Sequence, residues 1–226
     1  MTTEQTVTLA LSDEQTVTGI WSFPTPTGGP IWAFVYAPGA GATLRDGFGI
    51  FAAQRLASLG IPMLRFQFPY AEAGRRLPDR PPILEATWRA AIRAARAHAA
   101  RLVVGGRSMG GRIASQVVAQ GESVDALALF AYPLHPPGQP ERMRDAHLHG
   151  IAVPALFCSG TNDAFAAPEE LQVAAALVPH AQVQLLQGAD HSFRVAKGSG
   201  RTQEDMWTDA VGGFTHWLLS LEAPQG

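Results

Sequence analysis

The stretch 101–120, RLVVGGRSMGGRIASQVVAQ, constrains this chain more than any other. It opens on a short apolar run, Leu102-Val103-Val104, the pattern of a buried strand, and closes with Ile113, Val117 and Val118 at helical spacing. Between them lies Gly106-Arg107-Ser108-Met109-Gly110, a G-x-S-x-G. A tight turn from strand to helix needs small residues on both sides of the serine, because a side chain there would strike the neighbouring strand or helix. Glycine also accepts backbone angles that other residues resist. Such a turn lifts the Ser108 hydroxyl above the sheet edge, where a carbonyl can reach it. The plainer reading is a Gly-rich turn whose serine caps the helix.

The rest of the chain supplies the context. Residues 5–11 and 16–22, rich in Thr and Val, read as two strands of an edge hairpin around Ser12-Asp13-Glu14, and residues 24–30 (PTPTGGP) as a turn-rich connector. IWAFVYA at 31–37 is a continuous apolar run, as in a strand covered on both faces. Strands are also expected at 61–66, 125–131, 153–159 and 181–186. Helices are expected at 48–59, at 83–100, from Pro168 to about residue 178, and after Thr202, whose pairing with Asp205 resembles a capping box. Residues 67–70 and 71–82 read as loops. Strands alternating with helices predict an α/β fold: a mostly parallel sheet of about seven to eight strands with helices on both faces, in one domain over 1–226 and without a large cap. Sites in such sheets form at the carboxyl ends of strands.

Three polar residues follow three of these strands in the order Ser108, Asp163, His191. A serine hydroxyl is a weak nucleophile until a base takes its proton. His191 is the candidate base and later acid, and Asp163 the carboxylate that fixes the imidazole tautomer. Asp190, adjacent to His191, is the competing acid, but neighbouring side chains in a loop rarely face one another. An attacked carbonyl oxygen needs fixed donors. The Met109 N–H, just after the serine, is one. The small-residue loop Pro38-Gly39-Ala40-Gly41-Ala42 offers a second, Ala40 first and Gly41 as the fallback. Taken singly, Asp163 reads equally well as a loop residue capping the helix near Pro168, and His191 as a surface histidine.

Other classes lose ground on composition. The net charge of −2 gives no reason to expect nucleic acid or an acidic membrane surface. The single cysteine, Cys158, excludes an intramolecular disulfide and lies in an apolar run that suggests packing. His135, His147 and His149 lack obvious carboxylate or thiol partners for a metal. The glycine loop at 38–42 matches neither a phosphate-binding nor a dinucleotide-binding pattern. The N-terminal residues have no basic and apolar signal pattern, and no apolar run reaches the length of a membrane helix. The expectation is a cytoplasmic protein, monomer or homodimer, acting on a small acyl compound.

The motifs APGAGA at 37–42, RFQFPY at 65–70, GGRSMGGR at 105–112, YPLHPPG at 132–138, Ala146-His147-Leu148, GTND at 160–163 and GADHSF at 188–193 together resemble the α/β-hydrolase superfamily. Within it they are similar to a small dienelactone-hydrolase-like branch that includes a testis-expressed protein and a subunit of a nuclear histone-acetyltransferase complex. The resemblance implies a single-domain fold, a Ser108–His191–Asp163 triad and no cofactor. Dienelactone hydrolases themselves have cysteine where this chain has Ser108. The nuclear relative keeps a second expectation open, a hydrolase-fold binding or scaffold protein. A peptidase or acyltransferase is a third. Arg65 and Arg107 lie near strand ends and are candidates to bind an acidic substrate, or to form ion pairs beneath the site.

Overall fold

The computed structural model describes residues 2–12, 15–25 and 31–222. The tip of the expected hairpin turn, 13–14, and most of the connector, 26–30, lie outside them. Strands β1 (Thr2–Ala10) and β2 (Thr16–Pro24) pair antiparallel, each longer than the sequence pattern suggests. Next come β3 (Trp32–Ala37), α1 (Gly47–Ser58), β4 (Met63–Phe66), the one-turn α2 (Pro69–Glu72), α3 (Pro81–Ala95) and β5 (Arg101–Arg107). The chain continues with α4 (Met109–Ala119), β6 (Ala126–Phe130), β7 (Ala155–Gly160), α5 (Pro168–Ala175), β8 (Ala181–Leu186) and α6 (Gln203–Ser220). All eight strands form one sheet in the order β1-β2-β4-β3-β5-β6-β7-β8. From β4 to β8 every pairing is parallel, while β2 meets β4 antiparallel. This is the α/β-hydrolase architecture, with no cap over the sheet among the described residues.

Side-chain alternation explains the continuous apolar run of β3. Ala33, Val35 and Ala37 face one core with α3, α4 and α5, through Leu84, Trp88, Ile113, Val117 and Leu171. Trp32, Phe34 and Tyr36 face the other, against α1 and α6, through Phe48, Leu56, Phe214 and Trp217. Several boundaries differ from expectation: α3 ends at Ala95 and not at 100, α5 ends at Ala175, β4 and β7 start two residues late, and two helices begin at prolines inside expected loops. Helix α3 starts at Pro81, inside the expected loop, because proline is tolerated in a first turn where the N–H has no partner to lose. Helix α2 likewise starts on a proline, within residues read as loop. The cap of α6 is as expected, Thr202 accepting from the Asp205 N–H at 3.1 Å. Among the described residues no helix is long and apolar enough to cross a membrane.

The order of the strands reverses at β3: the chain goes to β4 on one side, then returns to β5 on the other. A crevice opens at the carboxyl ends of strands around such a reversal. Here it holds the loop after β3 and the turn from β5 to α4.

Candidate active site

The β5–α4 turn is built for close approach. Ser108 has φ 51° and ψ −119°, a conformation that costs an L residue of order 1–3 kcal/mol. A Cβ on Gly106 would lie 2.1 Å from the Ala37 carbonyl oxygen, and one on Gly110 2.2 Å from the same atom. Both glycines are therefore dictated by the neighbouring strand. Helix α3 braces the turn, with Trp88 Nε1–H donating to the Gly110 carbonyl at 3.1 Å. Ser108 precedes α4, yet its side chain makes no capping bond. Its Oγ instead lies 2.9 Å from His191 Nε2.

His191 Nδ1 lies 2.8 and 3.0 Å from the two carboxylate oxygens of Asp163. A carboxylate only accepts, so Nδ1 carries the proton and Nε2 is free to accept from the Ser108 hydroxyl. Asp163 is 5% exposed and held by two further donors, the Ser159 hydroxyl at 3.0 Å and the Phe165 N–H at 2.8 Å. It does not cap α5, whose first turn follows Ala167. Asp190 is turned away from the imidazole and accepts from the Ser192 and Arg194 N–H groups at 2.7 and 2.8 Å. Phe165, which the sequence gave no reason to select, stacks on the His191 ring with centroids 4.0 Å apart and planes 30° apart.

The loop after β3 abuts the serine: a Cβ on Gly39 would be 3.5 Å from Ser108 Cβ. Ala40 and Met109 both line the cleft around Ser108, and neither N–H donates to an acceptor among the described residues. The Gly41 N–H is taken, donating to the Tyr70 hydroxyl at 3.1 Å, which rules it out as the fallback donor. The cleft has a volume of about 480 Å³ and is walled by Leu84, Ile113, Pro133 and Phe165.

A second serine–histidine contact has the opposite polarity. Ser115 Oγ is 2.7 Å from His147 Nε2, but it donates its own proton to the Arg112 carbonyl at 2.8 Å. It therefore accepts from the histidine. Ser115 is fully buried, and burial pushes His147 down to about 4, so this contact ties α4 to the segment before β7. His135 is likewise occupied, donating to the Pro136 carbonyl at 2.8 Å and meeting Glu170 at 3.0 Å. Among the described residues no group of three His, Cys, Asp or Glu side chains is placed to hold a metal. Cys158 is buried in β7, and burial raises its thiol well above the usual range.

Arg65 takes the second of its two expected roles, a structural ion pair. Only 2% exposed, it pairs with Glu4 of β1 and donates to the Ser22 hydroxyl at 3.3 Å and the Leu44 carbonyl at 3.2 Å. It fastens the antiparallel edge and does not reach the cleft. Arg107 does line the cleft.

A family model described as an alpha/beta hydrolase domain matches residues 31–218. The chain belongs to this α/β-hydrolase family. Solved structures agree with the fold. A dienelactone hydrolase from Anabaena variabilis is 18% identical, with a TM-score of 0.72 over 95% of this chain and 98% of that one. Est1E from Butyrivibrio proteoclasticus with ferulic acid bound is 11% identical, with a TM-score of 0.75 over 94% and 99%. An α/β serine hydrolase without lid from Xanthomonas campestris is 18% identical, with a TM-score of 0.71 over 95% and 94%. In this chain Ser108 lines the cleft.

Proposed function

We propose that the chain is a serine hydrolase that cleaves a small ester, thioester or related acyl bond through an acyl-enzyme. The observation that carries this reading is the unbroken relay from Ser108 Oγ through His191 to the buried Asp163, opening on a cleft. Ser108 Oγ attacks the acyl carbon as His191 Nε2 takes its proton. Asp163 holds the resulting imidazolium in place and stabilises its charge. The carbonyl oxygen becomes an oxyanion facing the Ala40 and Met109 N–H groups, which are already fixed by the β3 loop and by α4. Collapse breaks the bond to the leaving group, which takes the proton from His191. Water then attacks the acyl-enzyme with His191 as base, releasing the acid and restoring Ser108.

An esterase and a dienelactone hydrolase of the same fold are consistent with ester chemistry, and the uncapped cleft suits small substrates. The test is turnover of p-nitrophenyl acetate, butyrate and hexanoate. Wild type should hydrolyse at least one, with Ser108→Ala and His191→Ala each reducing kcat by about 10³-fold or more. Turnover that survives Ser108→Ala would refute the reading. A folded wild type with no turnover of any ester or thioester would favour a binding or scaffold role.

A further inference from the structure

Three arginines line the cleft beside Ser108: Arg107, Arg112 and Arg144. None donates a side-chain hydrogen bond or pairs with a carboxylate among the described residues. The field of Arg107 reaches Asp46 and Tyr36, although its Nε, like that of Arg112, is buried without a partner. Around Arg112 and Arg144 the carboxylate within reach is Asp145, whose field acts on Tyr132 and His147. Burial lowers the Arg112 guanidinium's affinity for its proton, and the like charge of Arg144 lowers it further, so the two groups feel one another. Asp145, next in sequence to Arg144, forms an ion pair with neither among the described residues. Asp79, the cleft's other carboxylate besides the relay, is occupied by Arg75 and by the Tyr70 N–H.

Partly buried guanidinium groups that line one cleft without an ion-paired carboxylate are costly, and a ligand anion that pairs with both lowers the cost. The geometry points to Arg112 and Arg144 as a carboxylate subsite, so that the preferred substrate is an acyl compound bearing a second, negatively charged carboxylate. This rests on the serine-hydrolase reading and specifies its substrate class. A carboxylate offers about four lone-pair sites, enough for two guanidinium forks. Arg112 lies in the first turn of α4, four residues after Ser108 and about 6 Å along the axis. The span suits a short dicarboxylic chain with its ester end at Ser108 and its free end at the arginines.

The p-nitrophenyl monoester of adipic acid and p-nitrophenyl hexanoate have acyl chains of equal length and differ in terminal charge. The expected ratio of kcat/KM, charged over neutral, is about tenfold or more in wild type, from charge-assisted hydrogen bonds. It should fall toward one in Arg112→Gln and in Arg144→Gln, recover in part in Arg112→Lys, and shrink as salt is added. A wild-type ratio at or below one, or a ratio unchanged in both Gln variants, overturns the subsite. If hexanoate is still hydrolysed in a Ser108-dependent way, the hydrolase reading stands while the subsite falls. Should neither ester turn over, protection decides: adipate at millimolar concentration should slow fluorophosphonate labelling of Ser108 in wild type and not in Arg112→Gln. Labelling that adipate leaves unchanged overturns the subsite, and no labelling at all overturns both.

Discussion

Replacing Asp163 with Asn exchanges an oxygen for an NH₂ group and tests the relay at its far end. Oδ1 accepts from the Phe165 N–H at 2.8 Å, and Oδ2 accepts from the Ser159 hydroxyl at 3.0 Å, while His191 Nδ1 is 3.0 and 2.8 Å from the two. An asparagine must put its NH₂ at one of these positions. At the first it would meet the Phe165 N–H, donor against donor. At the second it faces Ser159, whose hydroxyl can turn and accept. The second placement wins, and it sets an N–H against His191 Nδ1. The imidazole relieves that clash by carrying its proton on Nε2, the nitrogen that must be free to take the proton of Ser108. A triad held in the wrong tautomer loses about 10⁴-fold in kcat. That is about 5.5 kcal/mol of transition-state stabilisation. The assay is steady-state hydrolysis of p-nitrophenyl butyrate, with near-ultraviolet circular dichroism to show that the variant is folded. Asp190→Asn, whose carboxylate serves only loop N–H groups, should keep close to the wild-type rate. A loss of less than tenfold in Asp163→Asn, or an equal loss in Asp190→Asn, would refute the reasoning.

Gly110→Ala should destabilise the fold by about 3 kcal/mol, because its Cβ would meet the Ala37 carbonyl at 2.2 Å, and a shift of the urea midpoint reads this directly. Phe165→Ala removes the ring stacked on His191 and should lower kcat/KM by roughly fivefold, about 1 kcal/mol, with little change in KM for a small ester. His147 is held neutral down to about 4 in the folded chain, so the unfolded chain binds more protons between about 6.5 and 4 and stability falls as pH falls through that window. His147→Gln should flatten this limb by about 1–2 kcal/mol, allowing for partial exposure of the ring, as read from urea melts at pH 7 and pH 4.5. Equal slopes in the two proteins would contradict it.

Local chemistry made much of this molecule legible in sequence. The β5–α4 turn announced itself through Gly106 and Gly110, since the clash with Ala37 leaves no other residue possible there. The apolar run of β3 declared a strand with both faces covered, and Thr202 with Asp205 marked the start of α6. Ser108, Asp163 and His191 were found by order and by their positions after strands. What escaped depends on contacts that join distant residues. Arg65 sits in a motif beside the site, but its partner Glu4 is 61 residues away on an antiparallel edge, and that pairing decides its role. Phe165 lies two residues after Asp163 with nothing in its neighbourhood to distinguish it from a packing aromatic. Arg144 falls in an irregular segment, so no periodicity could bring it beside Arg112. Prolines at 69 and 81 read as loop residues because breaking a helix and beginning one use the same fixed φ.

Labelling with a fluorophosphonate, followed by mass spectrometry of the modified peptide, tests the central claim most directly. The probe reacts with a serine whose hydroxyl a neighbouring base activates for attack. The account predicts one adduct, on Ser108, abolished by Ser108→Ala, strongly reduced by His191→Ala and unaffected by His147→Ala. An adduct on Ser115, labelling that survives His191→Ala, or a folded wild-type protein that does not label would contradict it.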